Sequence, residues 1–331
     1  MILEWGVHLR FLHARKVSAR IDRMKPPLKI KFTDCYRGWD NDHNLFTKLL
    51  AEMYDISFSD DPDLLIFLPF GTDHLNYQCR KLFITGENVR PDFNVCDYAF
   101  SFDFLDDSRN YRFPLGLWGS VAVSDDWNPE KALREKTGFC NFVYSNPSCR
   151  VRNQLFEQLS RYKIVDSGGR YKNNLGHRVD DKLSFLSRYK FTIAYENSSY
   201  PGYVTEKIAD AFAADSLPVY WGNPVVDRDF NPASFINYHD LGSNDAVIER
   251  IIELDQDDEA YLEVLRQPRY PDNRFPDFAQ PDQIKERLQQ IVESTEPPVR
   301  SSWGARLAHR ASHVRIKWRH RLQRWRGRLR I

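Results

Sequence analysis

An acidic and a basic side chain stand next to each other at Glu206 and Lys207, where Thr205 is placed to cap a helix continuing through Ile208, Ala209 and Phe212. Both charges then sit in the first helical turn. Open amide N–H groups and the positive end of the helix dipole favour a bound diphosphate there. The pair belongs to a longer block. Residues 195–207 read Tyr-Glu-Asn-Ser-Ser-Tyr-Pro-Gly-Tyr-Val-Thr-Glu-Lys, and residues 217–224 read Leu-Pro-Val-Tyr-Trp-Gly-Asn-Pro. The run Leu217 to Trp221 reads as a buried strand, and Gly222 ends it with backbone close to whatever occupies the cleft. A loop, a helix and a strand in that order make half of a nucleotide-binding α/β unit.

The elements that must position this block alternate along the chain. Leu28 to Phe32 reads as a first strand, Leu45 to Tyr54 as a helix, and Leu64 to Leu68 and Leu82 to Thr85 as strands. That alternation predicts a parallel sheet flanked by helices. Residues 106–138 are polar and broken by Pro114 and Pro129, as an inter-domain connection would be. A second series follows. It comprises the strand Phe139 to Tyr144, the helix Val151 to Tyr162, a short strand at Ile164 and Val165, a helix over Leu183 to Tyr189, and the strand Phe191 to Tyr195. After the 195–224 block, helices are expected over Ala246 to Leu254, Glu259 to Arg266 and Gln283 to Glu293. The expected division is a basic segment at 1–27, a first domain and connection at 28–138, a second domain at 139–297, and a basic amphipathic tail at 298–331.

Composition narrows the class. An apolar fraction of 42% with 14% aromatics over 331 residues suits one or two packed cores. No window approaches the ~18 apolar residues of a membrane span, and Glu4, His8 and Arg10 interrupt any signal-peptide core. The five cysteines are odd in number and form no C-x-x-C pair, which predicts neither a disulfide framework nor structural zinc and fits a reducing cytoplasm. Net charge is +6 over residues 1–31, +10 over 301–331 and −15 between them, so an acidic body carries two basic ends.

Ordered phrases in the chain resemble the α-1,3-fucosyltransferases, glycosyltransferase family ten, of bacterial type. They are Thr-Gly-Glu-Asn (85–88), Pro-Asp-Phe-Asn (91–94), Asp-Tyr-Ala-Phe (97–100), Tyr-Ser-Asn-Pro (144–147), Val-Arg-Asn (151–153), Asp-Ser-Gly-Gly (166–169), Asn-Asn-Leu-Gly (173–176), Tyr-Lys-Phe (189–191) and the 195–224 block. The resemblance implies an α/β GT-B architecture, two Rossmann-like domains facing a cleft, the first (28–138, with the connection) binding the acceptor and the second (139–297) binding GDP-fucose, and an inverting transfer from GDP-fucose that needs no metal or other cofactor.

Inverting transfer requires a base for the acceptor hydroxyl and positive charge for the departing diphosphate. The resemblance assigns the base to Glu87; an ordinary glutamate, with pKa about 4.3, is ionised at neutral pH. It places Arg152 and Lys207 on the phosphates, where a guanidinium fork and an ammonium can neutralise the leaving group. Glu206 would hydrogen-bond fucose and stabilise charge developing at its anomeric carbon, while Asn197 and Tyr203 would contact the donor. Phe191, Ile193, Val219, Tyr220 and Trp221 read as strand core. Asp61-Pro62-Asp63 reads as turn chemistry, without a metal.

In the tail, Trp303, Leu307, Ala311, Val314, Trp318, Leu322, Trp325 and Leu329 fall on one helical face opposite an arginine-rich one. Such a helix suits an anionic membrane surface, which predicts a cytoplasmic enzyme peripheral on the inner face; the alternative is packing on the acidic body. The leading function is α-1,3 transfer of L-fucose to an N-acetylglucosamine-containing acceptor of N-acetyllactosamine type. A same-fold transferase with another donor or acceptor is the second reading. A nucleic-acid-binding protein using the Arg/Trp tail is the third, opposed by the acidic body; no nucleic-acid partner is expected.

Overall fold

A computed structural model describes residues 25–118 and 127–313. These residues form two compact units, one of 25–113 and 277–313, the other of 114–118 and 127–276.

The first unit is built on six parallel strands: β1 (Pro27–Thr33), β2 (Asp55–Phe58), β3 (Leu64–Phe67), β4 (Arg80–Ile84), β5 (Tyr98–Ser101) and β6 (Asn110–Arg112). Their order is β2-β1-β3-β4-β5-β6. β1 alternates, burying Leu28, Ile30 and Phe32, whereas β3 is buried along its whole length, as a strand inside a parallel sheet must be. Helix α1 (Leu45–Met53) starts where the Asn44 side chain accepts from the Thr47 amide, and it buries Phe46, Leu49 and Leu50.

The second unit opens with α2 (Pro129–Arg134) and contains β7 (Gly138–Phe142), α3 (Arg150–Leu159), β8 (Val165–Ser167), α4 (Lys182–Leu186), β9 (Tyr189–Tyr195), α5 (Glu206–Ala213), β10 (Leu217–Trp221), β11 (Ile236–Asn237), α6 (Tyr238–Leu241), α7 (Asn244–Gln256) and α8 (Asp258–Leu265). Its five strands are also parallel, in the order β11-β10-β9-β7-β8. Phe191, Ile193 and Val219 lie in its core with Leu155, Leu159 and Ile251, while Trp221 is only partly buried.

Three departures from the sequence reading bear on how the units are built. The expected helix over Leu183 to Tyr189 ends at Leu186, because Tyr189 already pairs with Gly138 as the start of β9. The short strands β2, β5, β6 and β11 were not anticipated. Third, residues 277–297, expected in the second domain, pack on the first unit. Helix α9 (Pro281–Val292) buries Ile284, Leu288 and Ile291. Just beyond it, the Arg80 guanidinium donates to the Val292 and Glu296 carbonyls at 3.3 and 2.7 Å, and Tyr98 Oη donates to Ser294 Oγ at 2.9 Å. The chain then passes Asp97, which accepts from the Val299 amide at 2.5 Å, and forms α10 (303–313). No described helix is long and apolar enough to cross a membrane. All five cysteines are free.

Candidate functional site

In the second sheet β7, β9 and β10 are neighbours, so the loops leaving their carboxyl ends converge, the place where parallel α/β sheets build sites. Those loops carry Tyr144 and Asn146, Glu196 and Asn197, and Gly222 and Asn223. A carboxylate absent from the sequence-derived set stands at the centre. Glu196 is fully buried; it accepts from the Thr205 amide at 2.7 Å, from the Thr205 hydroxyl at 2.8–2.9 Å and from Lys207 Nζ at 2.8 Å. Lys207 Nζ also donates to Thr205 Oγ1 at 2.6 Å and lies 3.7 Å from Glu206 Oε1.

This arrangement corrects the expected role of Thr205. It occupies the N-cap position of α5, but its side chain makes no capping bond because the hydroxyl is engaged by Glu196 and Lys207. An uncapped first turn keeps its amide donors for other acceptors.

Electrostatics hold Lys207 and Glu206 in their charged forms. Burial opposes a charge on Lys207, yet Glu196 and Glu206 outweigh it and raise the ammonium above its usual range. Burial likewise favours a neutral Glu206, but Lys207 and Lys182 overcome this and hold its carboxyl below the ordinary glutamate value. Lys182 is itself held in place by Asp210 at 2.5 Å.

Arg152, expected on the phosphates, lies on α3. Its side chain is fully enclosed, stacked 3.9 Å from the centre of the Tyr144 ring. Nη1 donates to the Tyr195 and Glu196 carbonyls, both at 3.3 Å, and to Asn197 Oδ1 at 2.9 Å; Nη2 donates to the Asn146 carbonyl at 2.7 Å. The guanidinium therefore joins the loops after β7 and β9. Tyr144 adds a second tie, its hydroxyl donating to the Ile193 and Tyr195 carbonyls at 2.7 and 3.0 Å.

Asn197 is half-buried with its carbonyl oxygen committed to Arg152, and Tyr203 is buried at 2% exposure. The loop carrying Tyr203 is pinned by Asn223, whose Oδ1 accepts from the Gly202 amide at 2.7 Å, where Gly202 has φ of 84°. Asn223 and Glu196 are the positioning residues that sequence reasoning missed. The available signal was their place, each following a buried strand within a phrase already singled out. The structure thus brings Arg152, Asn197, Tyr203, Glu206 and Lys207 onto one sheet edge of the second unit.

Gly222 was expected to give close approach to whatever occupies the site. Its close neighbour is instead Glu196: a Cβ at Gly222 would lie 2.4 Å from Glu196 Cγ and 2.9 Å from Tyr220 Oη. Gly222→Ala is therefore expected to cost about 1–3 kcal/mol as overpacking, or to displace Glu196 from Lys207. Thermal unfolding and turnover measured together check this; wild-type values of both would show that Glu196 has room to move.

Gly116, in the stretch expected as connection, packs within this same unit. Its amide donates to the Val204 carbonyl at 3.1 Å, and an added Cβ would meet the Thr205 carbonyl oxygen at 2.9 Å.

Glu87 belongs to the first unit, three residues beyond β4 and therefore also past the carboxyl end of a parallel strand. Its backbone is fixed by Thr85: the Glu87 amide donates to Thr85 Oγ1 at 3.0 Å, and Thr85 Oγ1 donates to the Glu87 carbonyl at 2.9 Å. The side chain is half-buried. Among the described residues no group of three His, Cys, Asp or Glu side chains is placed to hold a metal ion.

Comparison with known proteins gives two family matches. Residues 30–118 match the alpha-(1,3)-fucosyltransferase FucT N-terminal domain, and residues 133–270 match the C-terminal part of glycosyltransferase family 10 (fucosyltransferase). The chain is 35% identical over 306 residues to the alpha-(1,3)-fucosyltransferase FucT of Helicobacter pylori, covering 77% of this chain and 63% of that protein, so it spans less than two thirds of that relative. A crystal structure of an alpha1,3-fucosyltransferase is similar at 30% identity and a TM-score of 0.73, covering 85% of this chain and 94% of that one. A crystal structure of an alpha1,3-fucosyltransferase with GDP-fucose is similar at 29% identity and a TM-score of 0.69, over 85% and 95% of the two chains.

Proposed function

Since the chain belongs to glycosyltransferase family 10, the fucosyltransferases, we propose that it transfers L-fucose from GDP-fucose to an N-acetylglucosamine-containing glycan of N-acetyllactosamine type, in α-1,3 linkage with inversion. The observation that carries this reading is the Glu196–Thr205–Lys207 cluster at the start of α5, which holds a permanent ammonium beside uncapped amide donors. An ammonium has three N–H donors; Glu196 and Thr205 take two, and the third serves a phosphate oxygen of the donor. Departure of GDP is thereby stabilised by protein charge alone.

Glu206, kept ionised by Lys207 and Lys182, stabilises the positive charge that develops on fucose as the bond to phosphate lengthens. Asn197 and Tyr203 orient the donor. Arg152 acts as a positioning residue, setting Asn197 and the Glu196 backbone through its enclosed guanidinium. Glu87, from the first unit, takes the proton of the attacking hydroxyl. The test is a screen of purified protein against GDP-fucose and UDP-sugars with glycan acceptors, the product linkage being read by NMR. An α-1,3-fucosylated product is expected; transfer from a UDP-sugar alone would overturn the reading.

The proposal includes cytoplasmic localisation at the inner face of the membrane through the tail. Of the apolar stripe, Trp303, Leu307 and Ala311 are exposed on α10, with Trp303 at 79%, which supports an outward apolar face over packing on the protein body. The remaining members, Val314 to Leu329, lie outside the described residues, as does most of the basic segment 1–27. Residues 314–331 carry eight Lys and Arg, each worth about 1 kcal/mol near an anionic surface. Deleting 314–331 is expected to reduce co-sedimentation with anionic vesicles, and binding by the full chain should weaken as salt rises. Equal sedimentation of both forms would exclude this role.

A further inference from the structure

Helix α10 has two distinct faces, and only one of them meets the first unit. At about 100° per residue, Trp303, Leu307 and Ala311 fall within an arc of about 80°. All three are exposed, Trp303 at 79% and Leu307 at 54%. Ala305, Arg306, His309 and His313 are the partly buried residues of α10, and their centre lies about 140° around the helix from that stripe. The apolar stripe and the docked face are therefore separate surfaces.

The docked face is fastened to side chains that are themselves fixed. His309 Nδ1 lies 3.1 Å from Asp92 Oδ2, and its ring stands edge-on to His74 with 5.0 Å between ring centres. His74 is 1% exposed, stacked on Phe67, with Nδ1 2.6 Å from Asp34 Oδ2. Ahead of the helix the chain is clamped at Val299. Asp97 accepts from the Val299 amide and Lys81 Nζ donates to its carbonyl at 3.1 Å, both charged side chains being buried. Asp97 also accepts from the Lys81 amide at 2.7 Å, which anchors the clamp in β4. Trp303 follows four residues after Val299, so the start of α10 stays within ~14 Å of the clamp even on a fully extended chain. On the docked side, Ala308 and His309 share one cavity with Phe67 of β3 and Phe83 of β4.

Composition decides what meets the outward face. Residues 301–331 carry ten Lys and Arg and no acid, and the sequence continues the stripe with Trp318, Leu322, Trp325 and Leu329. Basic charge beside a face rich in Trp and Leu is the chemistry of an anionic lipid surface. Because the two faces of α10 are separate, lipid can take the stripe without displacing His309 from Asp92. We propose that α10 enters the headgroup region of an anionic bilayer while still seated on the first unit, a step that rests on the membrane association proposed above. The helix is then a rigid adapter that sets orientation, holding the carboxyl ends of β3 and β4 within one helix diameter, ~10 Å, of the lipid.

The test is the distance between spin labels at Gly304→Cys on α10 and Ser57→Cys on β2, measured by double electron–electron resonance with and without vesicles of equal parts phosphatidylcholine and phosphatidylserine. The full chain is used, with the partly exposed Cys35 and Cys79 replaced by serine. A side chain at Gly304 would stand in open space, and Ser57 is exposed. Expected is one distance distribution in both conditions, in a chain that sediments with the vesicles. Trp303→Ala combined with Leu307→Ala is expected to weaken vesicle binding about tenfold or more, since two large apolar side chains no longer leave water. A distance that lengthens or broadens on vesicles would show α10 leaving the first unit and would overturn the proposal. Unchanged vesicle binding in the double variant would overturn it as well. Failure of the unsubstituted chain to sediment would remove the membrane association itself, whereas a changed distance in a sedimenting chain removes the adapter alone.

Discussion

Glu87→Gln is expected to lower turnover by about 100-fold or more while leaving GDP binding close to that of the wild type, the worth of a positioned general base. The substitution removes the carboxylate without disturbing what fixes the residue. Both hydrogen bonds with Thr85 use the main chain of Glu87, so a glutamine keeps the same backbone anchor after β4. The nucleotide-side residues belong to the second unit, so GDP affinity provides an internal control. Single-turnover rates and GDP calorimetry on the same preparation separate the two effects. Turnover within a few-fold of wild type, with the same product, would remove Glu87 from the role of base.

Lys207→Ala is expected to weaken GDP binding and to lower turnover by about 10²–10³-fold, because the charge that meets the leaving diphosphate is lost. It also leaves the buried Glu196 carboxylate without its cation, 2.8 Å away in the native chain. Breaking a buried pair in this way costs about 3–5 kcal/mol, so a drop in stability accompanies the loss of activity. The double variant Glu196→Gln with Lys207→Met separates the effects. It removes both charges, so stability should recover substantially while turnover stays low. Recovery of turnover in the double variant would show that Lys207 serves the fold and not the reaction.

Much of the second unit was legible because its elements announce themselves. The Leu217 to Trp221 run is bounded by polar residues, and the apolar period from Ile208 to Phe212 begins at a pair of charges. Glu206 and Lys207 could be singled out from that boundary. Glu196 was passed over despite its place after a strand, since one acidic residue there looks like any turn residue until Thr205 and Lys207 are folded onto it. Arg152 shows another part of the site that the sequence does not display. A helix arginine reads as an available cation, and only its enclosure by Tyr144, Asn146 and Asn197 shows where its donors go.

The assignment of α9 failed for a topological reason. Sequence contiguity placed it with the helices before it, yet the segment between α8 and α9 contains Pro268, Pro271 and Pro276, a run that marks the chain leaving the second unit. The missed strands are short: β6 has three residues and β11 two, too few for a period-2 pattern to emerge. The Asp34–His74 pair was invisible because its members are distant in sequence and meet only when β1 and β3 lie side by side.

The central claim, that the second unit is built to hold GDP-fucose through the cluster at the start of α5, is tested most directly by calorimetric titration of the full chain and of Lys207→Ala with GDP-fucose and UDP-galactose. The account predicts that GDP-fucose binds the wild-type chain well above UDP-galactose, and that Lys207→Ala removes most of that affinity. Binding of UDP-galactose as tight as or tighter than GDP-fucose, or GDP-fucose affinity unchanged in a folded Lys207→Ala, would contradict it.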